Sequence, residues 1–102
     1  MKLITPLELK VRLDAGENIH LVDVRELHEH EEFNIGGILL PVGKIMSMET
    51  ESIEHLKNEE VVFYCRSGGR SAQACMFAET LGFGNVTNLS GGMLAWKEQC
   101  SS

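Results

Sequence analysis

The sequence predicts an α/β fold in which helices cover both faces of a parallel sheet. The clearest observation is the apolar run 61–64, which indicates a buried strand and leads through two glycines into an amphipathic helix. A second observation is that strand patterns alternate with helix patterns along the chain, which is typical of parallel sheets. A third is size, because 102 residues that are 43% hydrophobic and 24% charged suit one globular domain, expected to span 1–102.

The first half of the chain is predicted to contain three helical segments and two strands. Thr5 and Glu8 form a capping box that starts the first helix, and Pro6 suits its first position. Glycines at positions 36 and 37 turn the chain before the second strand. In chain order, the predicted elements are a helix from Thr5 to Gly16, a strand at 19–24, a short acidic helix at 26–33, a strand at 38–40 and a weaker helix at 46–56.

The second half is predicted to repeat the order of strand and helix twice. The helix is predicted from apolar residues at i, i+3, i+4 and i+7, and Gly82 ends it. In chain order, the predicted elements are a strand at 60–65, a helix at 71–81, a strand at 86–89 and a last helix through Met93 and Trp96.

Polar or glycine residues follow three of the predicted strands. Asp23 and Arg25 end the first, Cys65 ends the strand 60–65, and Gly91 and Gly92 follow the last. In open parallel sheets, binding sites lie beyond the carboxyl ends of the strands. We therefore expect these residues to meet at one edge of the sheet.

The segment 65–71, here called the cysteine loop, has the composition of an activated thiol site. It has the sequence CRSGGRS, and a helix begins where it ends. Free amides and the positive dipole end of a helix favour an anion, and nearby guanidinium groups do the same, so the pKa of a thiol here is lowered. The alternative is a glycine-rich turn around an inert buried cysteine, which would need neither Arg66 nor Arg70.

Composition excludes several classes of function. A net charge of −6 offers no basic face for nucleic acid or for an anionic membrane, and no stretch is long and apolar enough to span one. Three cysteines (Cys65, Cys75 and Cys100) without tight spacing fit neither a disulfide framework nor a zinc site. With no secretory signal at the N-terminus, we expect a reducing, cytoplasmic setting.

Two weaker candidates have ordinary explanations. His28 and His30 lie among glutamates, but i and i+2 do not share a helix face, so a solvated acidic helix is favoured over a metal site and no metal is expected. Cys75 suits the core or flank of its helix better than the role of a resolving thiol for Cys65.

These residues resemble the rhodanese family of sulfurtransferases in its single-domain form. The resemblance spans Ile4 to Trp96 and rests on three blocks, namely LVDVRE at 21–26, VFYCRSGGRS at 62–71 and LGFGNVTNLSGGM at 81–93. It implies a rhodanese-like fold with a central parallel sheet of about five strands and helices on both faces. One departure concerns pocket shape: Asn34 stands where many members have histidine, and the family's proline is missing from this loop.

The resemblance implies a sulfurtransferase in which Cys65 carries sulfur as a persulfide, held by the amides of the loop from Arg66 through Ser67, Gly68 and Gly69 to Arg70. Arg66 is expected to face the entrance and attract an anionic donor such as thiosulfate, unless it is merely a solvated arginine. Arg70 is expected to close the loop by pairing with a carboxylate.

The remaining residues are expected to support the site. Asp23 and Arg25 are expected to be scaffold, because buried charges must be paired, and Asp23 or Glu26 is available to brace an arginine. Ser71 supports the loop, and the resemblance suggests that Gly91 and Gly92 leave room near the sulfur.

Two alternatives to the sulfurtransferase stay open. Tyrosine phosphatases and related arsenate reductases place five residues between cysteine and arginine, whereas four separate Cys65 from Arg70, and no aspartate stands out as their general acid. A non-catalytic interaction module of the same fold is the other alternative, although such modules typically lose the cysteine. The expected partners are a small sulfur donor and acceptor, with a protein persulfide donor or acceptor as a further option, and no cofactor.

Overall fold

The structure, a computed structural model, describes residues 1–100. It contains five strands: β1 (Lys2–Ile4), β2 (His20–Asp23), β3 (Ile38–Leu39), β4 (Val61–Tyr64) and β5 (Val86–Leu89). Five α-helices accompany them: α1 (Pro6–Asp14), α2 (Leu27–Glu32), α3 (Val42–Met46), α4 (Gly69–Thr80) and α5 (Gly92–Cys100). A 3-10 helix, Glu51–Leu56, lies between α3 and β4.

The five strands form one sheet in the order β1-β5-β4-β2-β3, and every neighbouring pair is parallel. This confirms the predicted α/β fold class with a parallel sheet. The chain leaves β2 toward β3 on one side, but it leaves β4 toward β5 on the other side. The loops after β2 and β4 therefore diverge, which opens a crevice at the carboxyl ends of these two central strands.

Helices cover both faces of the sheet because side chains alternate along each strand. In β4, Val61 and Phe63 join the core cluster that includes Ile45 of α3 and Ala74 of α4. The neighbouring residues Val62 and Tyr64 join the opposite cluster, with Leu9 of α1 and Met93 of α5. All four residues of β4 are fully buried, so the strand that precedes Cys65 is held from both sides.

The start of α1 confirms the predicted capping box. The Glu8 amide donates to Thr5 Oγ1 at 3.1 Å, and the Thr5 amide donates to Glu8 Oε1 at 2.9 Å. The helix thus satisfies orphan amide groups at its first turn, which fixes where the chain leaves β1.

Three features of the fold differ from the sequence prediction. The edge strand β1 was not predicted, because a three-residue strand shows too little alternation to recognise. The single helix predicted at 46–56 is wrong: α3 ends at Met46, and the chain turns at Met48, whose φ is +61°, before the 3-10 helix. The helix α4 begins at Gly69 and not at residue 71, so the loop glycine is already its first residue.

Candidate active site

The site lies where the chain leaves β4 and β2 at the crevice. Asp23 and Tyr64 are register partners at the ends of these strands, and the Val24 amide donates to the Tyr64 carbonyl at 3.0 Å. The segments that follow, Arg25 on one side and Cys65 on the other, therefore leave the sheet at the same level. This brings two of the three predicted groups of residues together at one edge.

Three hydrogen-bond donors lie within 3.4 Å of the sulfur of Cys65. The amides of Gly68 and Ser71 lie 3.1 and 3.4 Å from Sγ, and the Ser71 hydroxyl lies 3.4 Å from it. Gly68 adopts a φ of +106°, a left-handed conformation that favours glycine and turns its amide inward. The cysteine loop therefore wraps polar hydrogens around one sulfur atom.

Cys65 is almost completely buried. Its exposed fraction is 1%, so the sulfur lies at the floor of the loop. Burial raises the pKa of the Cys65 thiol, but hydrogen bonds from the Ser71 hydroxyl and from the amides of Ser71, Gly68 and Ser67 lower it more. The net effect is a lowered pKa, which favours the thiolate.

The start of α5 determines which way the cysteine loop faces. The amides of Met93 and Leu94 donate to the carbonyls of Cys65 and Arg66, at 2.8 and 2.9 Å. These two carbonyls are thereby held by α5, and the later amides of the loop are left to face the sulfur. A second helix N-terminus thus satisfies the loop's acceptors while α4 supplies donors.

Glycine at position 92 is what allows this close approach. A Cβ there would lie 2.4 Å from the Cys65 carbonyl oxygen and 2.7 Å from that of Arg66, and φ is +56°. Gly92 therefore makes room for the backbone of the cysteine loop and not directly for the sulfur. A Cβ at Gly91, the residue before α5, would meet Cβ of Ala95 in that helix at 2.5 Å.

The two arginines of the loop differ in their partners. Arg70 forms a bidentate ion pair with Glu29 of α2, at 2.7 and 2.9 Å, as expected for an arginine that closes the loop. Its partner is Glu29, however, and neither Asp23 nor Glu26. Arg66 is exposed and has no ion-pair partner within residues 1–100.

Asp23 and Arg25 form a buried scaffold with His30. Asp23 is 0% exposed and accepts from the Arg25 amide, Nε and Nη2 at 3.0, 2.9 and 2.8 Å. His30 Nδ1 lies 2.8 Å from Asp23 Oδ2. Burial raises the pKa of Asp23, but these partners lower it more, so the carboxylate stays charged. Arg25 also donates to the Phe33 carbonyl at 2.6 Å, which ties α2 to the sheet.

The loop that departs from the family pattern is internally hydrogen bonded. Asn34 accepts from the Gly36 amide at 2.8 Å and donates to the His30 carbonyl at 2.8 Å, so it caps the end of α2. Tyr64 donates its hydroxyl to the Gly36 carbonyl at 2.8 Å. Asn34 is thus well suited to this turn without the usual histidine and proline.

A cavity of about 120 Å³ opens beside the cysteine loop. Its walls carry both signs of charge and an apolar side, and they come from α2, α5 and the residues next to them. The lining residues are Arg25, Glu29, Glu32, Phe33, Arg66, Met93, Leu94 and Lys97. Arg66, which is exposed, therefore lies at the mouth of this cavity.

Sequence reasoning missed three residues of this site. Glu29, which holds Arg70, lies 41 positions away in the chain, and Asn88, which accepts from Ser71, lies 17 positions away. His30 was assigned to a solvated face, but it reaches the buried Asp23. Ser67 and Gly69 of the predicted set are exposed residues. Within the described residues, no cluster of side chains has the composition of a metal site.

The profile of the Rhodanese-like domain matches residues 5–99. The chain is 41% identical over 98 residues to a Bacillus subtilis protein named putative sulfurtransferase YtwF, covering 95% of this chain and 91% of that protein. It is 32% identical over 104 residues to human thiosulfate:glutathione sulfurtransferase, covering 90% of each. The crystal structure of a rhodanese-like domain protein from Staphylococcus aureus superposes with a TM-score of 0.81 at 33% identity, covering 94% of this chain and 91% of that one.

Other curated relatives are longer than this chain. The chain covers 24% of the length of one relative, to which it is 36% identical, and 46% of the length of another. In each of these comparisons, the region of similarity covers nearly the whole length of the present chain. With the five-stranded parallel sheet and the cysteine loop at its edge, the chain belongs to the rhodanese-like domain family.

Proposed function

We propose that this protein is a sulfurtransferase that carries sulfur on Cys65 as a persulfide. The observation that carries the proposal is the convergence of three hydrogen-bond donors on Cys65 Sγ at the start of α4. Donors placed in this way stabilise a thiolate, which is the nucleophile that sulfur transfer requires. Relatives named as sulfurtransferases support the same reaction class.

In the first half-reaction, the Cys65 thiolate attacks the outer sulfur of thiosulfate. A bond forms between Sγ and that sulfur, the sulfur–sulfur bond of thiosulfate breaks, and sulfite leaves with the electron pair. The terminal sulfur of the persulfide then bears the negative charge. Amides of the cysteine loop are available to hold that anion.

In the second half-reaction, a nucleophile attacks the terminal sulfur of the persulfide. Its electron pair forms the new bond, the bond to Sγ breaks, and Cys65 returns as the thiolate. With cyanide as the acceptor, the product is thiocyanate. Two half-reactions through one covalent intermediate predict ping-pong kinetics.

The proposed donor is a small anion, and thiosulfate is the one we expect to be used best. Arg66 is exposed at the mouth without a carboxylate partner within the described residues, whereas Arg70 is neutralised by Glu29. A cation with no internal partner in a chain of net charge −6 is suited to attract an anion locally. The human relative named for thiosulfate supports this choice.

Two observations argue against a phosphatase. Four residues separate Cys65 from Arg70, which makes a loop smaller than that of phosphatases, and the arginine is engaged by Glu29. Asp23, the buried aspartate at this edge, accepts hydrogen bonds from Arg25 and His30, so it holds no proton to donate as a general acid. A binding module would gain nothing from the three donors around Sγ.

The test is turnover of thiosulfate with cyanide, followed as thiocyanate. The wild type is expected to turn over, and Cys65→Ser is expected to lose at least about 100-fold in rate because an alkoxide cannot replace the thiolate. The matched control is Cys75→Ser, which removes a second buried thiol and is expected to retain the rate.

Mass spectrometry separates the sulfurtransferase from the binding module. After exposure to thiosulfate and removal of the donor, Cys65 is expected to carry one additional sulfur atom. No added sulfur on Cys65 with any of thiosulfate, polysulfide or glutathione persulfide would favour the module. Equal turnover by wild type and Cys65→Ser would end the catalytic assignment.

A further inference from the structure

A buried hydroxyl between the sulfur and a buried amide is the basis of this inference. Ser71 is 0% exposed and Asn88 is 6% exposed, and Asn88 lies in β5 beside Phe63 of β4. The Ser71 hydroxyl lies 3.4 Å from Cys65 Sγ, 2.5 Å from Asn88 Oδ1 and 3.2 Å from the Gly68 carbonyl oxygen. A serine hydroxyl has one proton, so these three acceptors compete for it.

The Gly68 carbonyl has other donors. The Ala72 amide donates to it at 3.0 Å, and Asn88 Nδ2 donates to it at 3.2 Å. A carbonyl oxygen has two lone pairs, so these donors satisfy it without the hydroxyl. The acceptors that remain for the Ser71 hydroxyl proton are therefore Asn88 Oδ1 and Cys65 Sγ.

We propose that Asn88 is a positioning residue that competes with Cys65 for the Ser71 hydroxyl, so that this hydroxyl turns toward the sulfur only when the sulfur is an anion. This rests on the proposed function only in taking Cys65 as the group that ionises. The hydroxyl rotates about its own C–O bond, and its proton stays on Oγ throughout. The proton that Cys65 loses on ionisation goes to solvent.

The competition follows from the strengths of the two acceptors. A thiolate accepts a charge-assisted hydrogen bond, which is stronger than the bond to a neutral amide oxygen. A thiol is a weak acceptor, so with neutral sulfur the hydroxyl donates to Asn88. When the hydroxyl turns to the thiolate, Asn88 Oδ1 is left buried without a donor, which opposes ionisation.

The same arrangement serves each stage of sulfur transfer. In the persulfide, the charge lies on the terminal sulfur and Sγ is neutral, so the hydroxyl returns to Asn88. When the acceptor removes the terminal sulfur, charge returns to Sγ and the hydroxyl turns back to stabilise the leaving thiolate. Asn88 thereby keeps the thiol basic enough to remain a good nucleophile.

The other charged groups at this edge do not replace the hydroxyl. Arg70 on α4 interacts electrostatically with Cys65, but Glu29 neutralises it. Asp23 and Arg25 at the end of β2 are paired with each other. Neither Ser71 nor Asn88 titrates, so the effect of Asn88 on Cys65 depends on the presence of the hydroxyl.

The experiment measures the alkylation rate of Cys65 against pH with iodoacetamide, in variants that lack Cys75 and Cys100. Asn88→Ala is expected to shift the profile to lower pH and to give about threefold faster alkylation at pH 6, because the competing acceptor is gone. In a protein that already carries Ser71→Ala, adding Asn88→Ala is expected to cause no further shift in the pH profile of alkylation.

A purely structural role for Asn88 predicts a different result. Loss of its bond to the Gly68 carbonyl would loosen the loop and move the profile equally with and without Ser71. Equal shifts in both backgrounds, no shift, or a shift to higher pH with Ser71 present would overturn the proposal. Asn88→Val, which suits a central strand and also lacks the acceptor, is the second variant in case the alanine destabilises β5.

Alkylation does not require sulfur transfer, so the two proposals fail separately. A protein that shows the Ser71-dependent shift but forms no persulfide would retain the hydroxyl competition and lose the sulfurtransferase assignment. A protein that transfers sulfur but shows no Ser71-dependent shift in its alkylation profile would retain the sulfurtransferase assignment and lose the hydroxyl competition.

Discussion

Cys65 and Cys75 are equally buried, but their surroundings move their thiol pKa values in opposite directions. Their exposed fractions are 1% and 0%, and both join the same core cluster. Burial raises the pKa of each thiol. At Cys75 the Glu79 charge raises it further and the weaker effect of the N-terminal ammonium group does not offset them, so the pKa rises to about 12. At Cys65 the hydrogen bonds from Ser71, Gly68 and Ser67 more than offset burial, and the pKa falls.

The difference between the two cysteines lies in the orientation of peptide groups and not in depth. Cys65 precedes α4, where amides have no partners within the helix and are free to face Sγ. Cys75 lies inside α4, where the amides are committed to the helix, and the Glu79 charge on the same helix disfavours a thiolate. Position relative to the start of α4 thus separates the buried thiol with the lowered pKa from the one with the raised pKa.

The largest expected effect is a contrast in alkylation between the two thiols. In a Cys100→Ser protein at pH 7, iodoacetamide is expected to modify Cys65 at least about 100-fold faster than Cys75. With a pKa near 12, only about one in 10⁵ of the Cys75 thiols is ionised at this pH. Peptide mapping by mass spectrometry measures both sites in one sample.

The denatured protein provides the control for this contrast, because in urea the two cysteines should react at similar rates. The predicted difference between the two thiols would be contradicted if native Cys75 reacted as fast as Cys65. It would also be contradicted if native Cys65 resisted the small reagent entirely, since its burial would then seal the sulfur.

The next largest effect concerns the two glycines that flank the site. Gly92→Ala is expected to reduce the free energy of unfolding by about 2–4 kcal/mol, because its Cβ would overlap the carbonyls of Cys65 and Arg66. Gly69→Ala is the matched control, since a Cβ there meets nothing within 4 Å and alanine favours the helix. Urea unfolding measures both, and equal destabilisation would contradict the proposed close contact of α5 with the cysteine loop.

The smallest effect concerns the neutralisation of Arg70. Glu29→Gln is expected to lower the pKa of Cys65 further, because Arg70 then lacks a carboxylate, and to leave Cys75 unchanged. We expect a loss of about 1 kcal/mol in the free energy of unfolding at pH 7, since both side chains are partly solvated.

The pH dependence of this loss has a definite sign. The pKa of Glu29 is lowered from 4.5 to about 2, first by its hydrogen bonds from Arg70, so the pair stabilises the fold above about pH 4.5. The difference between wild type and Glu29→Gln should therefore shrink as the pH falls from about 5 to 2. A difference that grows on acidification would show that Glu29 does not form the charged pair.

The sequence was sufficient for the elements that carry a local pattern. Alternation and apolar runs predicted β2 to β5 to within about two residues, and the Thr5–Glu8 capping box placed the start of α1. β1 was missed because it is defined by pairing with β5, which lies more than 80 residues away. The break after α3 was missed because it depends on a left-handed conformation at Met48, which no rule of sequence assigns to methionine.

The residues of the site also divide into those predicted from a local sequence pattern and those that depend on contacts distant in the chain. The motif 65–71 predicted the amide donors around Sγ because they follow from a local strand, loop and helix start. Glu29 and Asn88 could not be predicted, since their side chains reach the loop only after β2, β4 and β5 have assembled. Asp23 braces Arg25, its near neighbour in sequence, whereas Glu29 on α2 holds Arg70.

Apart from Arg66 of the cysteine loop, the walls of the cavity and the groups that hold the sulfur come from different parts of the chain. Phe33 beyond α2, and Leu94 and Lys97 on α5, shape the opening, while the donors to Sγ come from the cysteine loop and the first turn of α4. Substitutions on the former can accumulate during evolution without disturbing the reactive atom. The side chains that shape the opening can thus be altered to change what enters the cavity while the groups around Sγ stay in place, which offers a practical route to redesigning selectivity.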